Sequence, residues 1–210
     1  MSITTVSNSA LDLLATYGDL TFATPMELDA FLELSKRFPE LKMERSESGE
    51  VTIMSPIKSA SAENEGHFFG YVYAWNLKDR TGRVYSPSGG FILNGQQMRC
   101  SDTAWVSNER LAPFLADPDH RQKFVEAVPD FVVEVKSDTD RLPKLKQKMR
   151  QVWMANGVRL AWLVDTEEER VYIHRAGARE TEVVTDFAES ELSGEDVLPD
   201  FVFPLVELNV

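Results

Sequence analysis

The run Pro129-Asp130-Phe131-Val132-Val133-Glu134-Val135-Lys136-Ser137 constrains this chain more than any other stretch. Residues 131–136 are its most strand-like segment. Side chains alternate across a strand, so Phe131, Val133 and Val135 take one face while Val132, Glu134 and Lys136 take the other. A helical pattern follows over about 143–155, with Leu145, Met149 and Val152 on one face and Asn156-Gly157 as its stop. An apolar strand then covers 158–164. A helix on one side and the rest of a sheet on the other make 131–136 a central strand. A carboxylate and an ammonium are costly to bury there unless they are paired or bind something. The same segment also fits an edge strand with a wet outer face and Glu134 and Lys136 as a surface pair.

A second carboxylate favours the central placement. Two carboxylates that share one hard cation converge within a few ångströms. Asp130 lies on the same face as Glu134, but four residues of strand separate them by ~13 Å. A partner from a neighbouring strand, ~4.8 Å away, is needed instead. Ser101-Asp102-Thr103-Ala104-Trp105-Val106 supplies one, with Asp102 interrupting an otherwise bury-able strand. Asp102 and Glu134 on adjacent strands, with Lys136 beside them, make a cation and water site.

The remaining elements frame this centre. Thr24-Pro25-Met26-Glu27 reads as a helix start, with Thr24 as N-cap, Pro25 in the first turn and Glu27 closing a capping box. Leu28, Phe31, Leu34 and Phe38 recur at helical spacing. Short strands follow near 41–45 and 51–54, and a second helix over 61–78 carries the stripe Phe68, Tyr71, Val72 and Trp75. Strands near 83–85 and 91–93 precede Asn94-Gly95, a hairpin signal. Residues 108–115 suit a short helix, 171–174 pairs with 158–164, and 192–208 is rich in strand and turn signals. Helix, three strands, helix, strand, with extra elements at both ends, is an α/β domain around a mixed sheet. The expected domain spans 22–210, preceded by a tail or first segment over 1–21, whose first nine residues do not read as a signal peptide.

Composition narrows the function classes. With 210 residues, 43% hydrophobic and 27% charged, the chain suits one ordinary globular domain. One cysteine, Cys100, forms no internal disulfide and no cysteine-based zinc site, and suits a reducing, cytoplasmic setting as a small core residue. No apolar run approaches the ~20 residues of a membrane span. A net charge of −12 is unlike a generic nucleic-acid binder. Residues 141–164, however, hold six basic residues and no acidic one: Arg141, Lys144, Lys146, Lys148, Arg150 and Arg159. Screening lets such a patch steer a polyanion on an acidic body. The same run also suits a solvated helix face.

Asp102 followed by Glu134-Val135-Lys136 resembles the Asp…(Asp/Glu)-X-Lys signature of the restriction-endonuclease-like fold. More closely, the chain resembles the Uma-type endonuclease family, a family of unknown function abundant in cyanobacteria. The likeness is carried by Met43-Glu44-Arg45, Gly49-Glu50-Val51, the segments around Asp102 and Glu134, Gly157-Val158-Arg159-Leu160-Ala161-Trp162-Leu163-Val164-Asp165, and Leu192-Ser193-Gly194-Glu195-Asp196-Val197-Leu198-Pro199. It covers the chain from about Phe22 onward. One departure is Ser101, where the family often has proline, and it touches backbone stiffness more than chemistry.

The resemblance implies that Asp102 and Glu134 bind Mg²⁺ or Mn²⁺ and that Lys136 positions or activates water. Carboxylate and water ligands do select hard cations. Glu44 matches a recurrent glutamate of the family and either lies near the site or caps a hairpin. Glu63, at helical spacing from His67 and Tyr71, either aims at the metal or is solvated. Gln147 and Lys148, on the basic helix, are candidates to touch phosphate. His67, His120 and His174 lack metal-ligand spacing and suit structural or exposed roles. The implied function is a Mg²⁺-dependent endonuclease acting on DNA, with a homodimer expected for the fold. The acidic charge and lack of an appended DNA-reading motif also suit an interaction module that retains the fold, or a hydrolase of small phosphoesters.

Overall fold

A computed structural model describes residues 18–22 and 24–208, so the expected tail over the first nine residues lies outside the described part. The chain divides into two compact units, Met1–Pro56 with Asn94–Arg99, and Ile57–Leu93 with Cys100–Val210. In chain order the strands and helices are β1 Leu20–Phe22, α1 Leu28–Arg37, β2 Met43–Arg45, β3 Val51–Ile53, α2 Ser59–Asp79, β4 Gly82–Tyr85, β5 Gly90–Leu93, β6 Gln97–Cys100, β7 Thr103–Ser107 and α3 Asn108–Leu115. They continue with β8 Phe131–Val135, α4 Leu142–Lys148, β9 Leu160–Asp165, β10 Arg170–Arg175, β11 Glu182–Val184, β12 Glu191–Ser193 and β13 Val202–Pro204.

In the first unit β3 pairs antiparallel with both β1 and β2, and Arg45 of β2 sits opposite Met98 of β6. Leu20–Phe22 is therefore a strand, where the sequence suggested the end of a tail. The expected cap of α1 also moves. The helix begins at Leu28 with Glu27 as its extended N-cap and no side-chain cap bond. Tertiary bonds override the local signal: Met26 donates its N–H to Gly49 O at 2.8 Å, and its carbonyl accepts Arg45 Nε at 2.7 Å. Those bonds hold 26 out of helical register, so Thr24 is one turn too early. Asn94 and Gly95 both have positive φ, as a type I′ turn requires.

The second unit is built on a six-stranded sheet ordered β11-β10-β9-β8-β7-β4. Only β8 and β9 are parallel, joined by the crossover through α4; the other pairs are antiparallel. Within this sheet α2, β4, β7, β8, α4 and β9 reproduce the helix, three-strand, helix, strand order read from the sequence. The alternation of 131–135 also holds, because all five residues of β8 are buried. Phe131, Val133 and Val135 pack with Phe68 and Val72 of α2, Trp162, and the C-terminal Phe201 and Phe203. Val132 joins the opposite cluster with Leu145, Met149, Trp153, Ala161, Leu163 and Tyr172. Each of these large apolar side chains contributes roughly 1.5–3 kcal/mol by leaving water. Trp75 fastens the C-terminal segment to α2 by donating Nε1–H to Pro199 O at 2.8 Å.

His174 is the buried histidine on the α4 side of this sheet. Burial is the main reason that its pKa falls to about 4, and the positive charges of Arg150 and Lys146 add to the shift. Its Nδ1 lies 3.4 Å from Thr181 Oγ1. The unfolded imidazole protonates near pH 6.5, before the folded one. The stability tied to neutral His174 is therefore whole above pH 6.5 and is lost as pH falls toward 4. Urea unfolding at pH 7 and pH 4.5 checks this. His174→Gln is expected to lose less stability between the two pH values than the wild type.

Candidate active site

The central position of β8 places its one carboxylate inside the protein. β8 lies between β7 and β9, so the edge-strand arrangement does not occur. Glu134 is 5% exposed and Asp102, just before β7, is 8% exposed. Asp102 brackets Glu134 from the neighbouring strand. Its backbone N–H donates to Val133 O at 3.1 Å, and its Oδ2 accepts the N–H of Val135 at 2.8 Å. The structure thus places Asp102, just before β7, against the backbone on both sides of Glu134.

The lysine on Glu134 is Lys148, from the last turn of α4. Its Nζ lies 2.9 Å from Glu134 Oε1 and 3.1 Å from Oε2, and donates to the Cys100 carbonyl at 3.0 Å. Trp153 completes the surroundings by donating Nε1–H to Glu134 Oε1 at 2.7 Å. Lys148 Nζ also sits 5.8 Å from the centre of the Trp153 ring. Cys100 itself is buried, as expected of a small core residue.

Lys136, one residue past β8, turns to a different pair of acids. Its Nζ lies 2.6 Å from Glu167 and 3.4 Å from Asp165, which is itself buried. The hydrogen bond that it donates to Glu167 is the main reason that its pKa is raised, so the ammonium stays protonated at neutral pH.

Glu44 lies in the first unit, buried and 3.1 Å from Arg99. Glu63 is exposed on α2, lining an open groove with Gly66, His67, Gly70, Tyr71, Ala74 and Glu207. The buried carboxylate of α2 is its neighbour Glu65, accompanied by Asn64. Gln147 is exposed and donates to Gln151 at 2.7 Å. Asp130 accepts the N–H of Ser107 at 2.8 Å and pairs with Arg110 at 3.1 Å, a structural role at the far end of β8. His120 packs edge-on against Phe114, and His67 sits 4.0 Å from Glu207. Arg141, Lys144 and Arg150 are exposed along the basic helix.

The donor set suits a hard divalent cation. Two carboxylates and a carbonyl are the oxygen ligands such an ion takes, and the Lys148 ammonium already takes one carboxylate and the Cys100 carbonyl as oxygen neighbours. No group of three or more His, Cys, Asp or Glu side chains with metal-holding geometry occurs among the described residues. Mg²⁺ is commonly held by only one or two carboxylates, with water and substrate phosphate filling its remaining positions. Asp102 and Glu134 meet that requirement. Sequence reasoning missed Trp153 and Asp165. Trp153 fell within the expected helix over 143–155 and Asp165 ended a segment that carried the family likeness, and neither carries a local signal that distinguishes it.

Comparison with known proteins agrees with this architecture. A crystal structure of "a putative nuclease belonging to DUF820" from Anabaena variabilis superposes with a TM-score of 0.69 at 19% sequence identity, covering 88% of this chain and 97% of that one. At that identity the likeness establishes the fold. No curated protein matches the sequence, and no helix among the described residues is long and apolar enough to cross a membrane. Residues 28–208 match the family Uma2, described as "Putative restriction endonuclease". The chain belongs to the Uma2 family.

Proposed function

We propose that this protein is a metal-dependent endonuclease that hydrolyses phosphodiester bonds in DNA, with Asp102 and Glu134 as the ligands of Mg²⁺ or Mn²⁺. One observation supports the reading: two carboxylates are more than nine-tenths buried, Asp102 bonded to the backbone beside Glu134 and Glu134 paired with a lysine. Burial of that much charge is costly and is retained where it binds or reacts. The bound cation would polarise a phosphoryl oxygen and lower the pKa of a bound water. Lys148 carries a positive charge at the same carboxylate and offsets negative charge that develops on phosphate. We assign it this charge-stabilising role because its ammonium is on Glu134. The exposed Arg141, Lys144 and Arg150 supply the positive surface that a phosphate backbone needs.

The test is cleavage of supercoiled and linear DNA by purified protein in Mg²⁺ or Mn²⁺, set against Asp102→Ala. Metal-dependent cleavage that Asp102→Ala lacks is expected. Cleavage no greater than that of Asp102→Ala refutes the assignment.

A further inference from the structure

We infer that Trp153 is a positioning residue for Glu134, delivered to it by a π turn at the end of α4; this rests on the metal-dependent reading of the site. Lys148 and Trp153 are five residues apart. In a regular α-helix five residues turn through ~500°, leaving the two side chains ~140° apart and unable to reach one carboxylate. The helix does not stay regular. Residues Met149–Trp153 form a π turn, followed by a tight turn over Met154–Asn156 and Gly157 at φ 95°. The wider i→i+5 turn brings residues five apart into line.

Both side chains consequently converge on Glu134. Lys148 Nζ is 2.9 Å and Trp153 Nε1 2.7 Å from the same oxygen, Oε1. Trp153 is fully buried against Met149, Ala161 and Leu163, and Phe91 meets its ring edge-on, so the indole is fixed. An indole N–H donates and never accepts, so it holds a carboxylate oxygen without competing as a ligand. π turns are rare and are frequently found at functional sites. Glu134 is thus held from both sides: Lys148 supplies charge and Trp153 fixes direction.

Partners that orient a metal-binding carboxylate typically account for 10–100-fold in metal affinity or activity. Calorimetric Mn²⁺ titration of the wild type and Trp153→Phe tests the role. Phenylalanine keeps a buried ring and removes the N–H. The expected result is ~10–100-fold weaker Mn²⁺ binding by folded Trp153→Phe. A purely structural Trp153 would lower the unfolding midpoint and leave the affinity of the folded protein unchanged, which overturns the inference. No uptake by the wild type overturns the metal reading itself; uptake that Trp153→Phe matches overturns only the positioning role. Should the variant fail to fold, the wild-type indole resonances decide. The Trp153 N–H signal, identified by its displacement in Glu134→Gln, is expected to shift on Mg²⁺ saturation, while those of Trp75, Trp105 and Trp162 stay in place. A Trp153 signal that does not move overturns the inference.

Discussion

Glu134→Ala is expected to abolish divalent-cation binding and DNA cleavage together, and to destabilise the fold as well. The functional loss follows because Glu134 is one of only two carboxylates in the proposed donor set. The stability loss follows from what remains behind. Lys148 keeps a largely buried ammonium without its carboxylate, and the fully buried Trp153 loses its hydrogen-bond acceptor. Removing one member of a buried ion pair typically costs ~3–5 kcal/mol. Urea unfolding measures the second effect and calorimetry the first. Glu134→Gln is expected to separate them, since the amide keeps an acceptor for Trp153 while losing the charge. A Glu134→Ala protein that still binds Mn²⁺ with wild-type affinity excludes Glu134 as a ligand.

Lys148→Met is expected to lower kcat by ~10²–10³-fold, the usual consequence of deleting one group that stabilises transition-state charge. Lys136→Met is expected to lose much less. The two lysines are distinguished by their partners. Lys148 contacts both oxygens of Glu134, whereas Lys136 is held between Asp165 and Glu167. Methionine keeps most of the aliphatic stem, so packing against Trp153 is largely preserved. Steady-state cleavage of one oligonucleotide by the three proteins decides the matter. A larger loss in Lys136→Met than in Lys148→Met would return the catalytic role to Lys136.

The contrast between these lysines shows what the sequence made legible. Alternation in Phe131–Val135 predicted which residues face which layer, because a strand buried on both sides leaves its side chains no other choice. It also predicted that a lone carboxylate there looks to the next strand for a partner, and Asp102 does bond to the backbone beside Glu134. Alternation placed Lys136 on the Glu134 face as well. It said nothing of how far a long side chain reaches past the strand end or toward which acid. Lys148 was legible as a candidate to touch phosphate from a basic helix, not as the partner of Glu134. Its contact with Glu134 depends on how α4 crosses the sheet, a tertiary fact with no local signature.

Other readings failed for reasons equally local. Thr24-Pro25-Met26-Glu27 has every mark of a helix start, yet the bonds of Met26 to Gly49 and Arg45 outweigh it. The sequence showed a regular helix over 143–155, and the π turn over Met149–Trp153 has no local signature in it. On α2 Glu63 is exposed, the solvated arrangement that the sequence also allowed, while Glu65 is buried on the side of Phe68 and Val72.

The most direct test is a crystal structure of the protein with Mn²⁺ and a short DNA duplex, with data collected for manganese anomalous scattering. The expected result is an anomalous peak within coordination distance of one carboxylate oxygen each from Asp102 and Glu134, with a DNA phosphate beside it. A peak elsewhere, or intact DNA bound with no manganese between those two side chains, would contradict it.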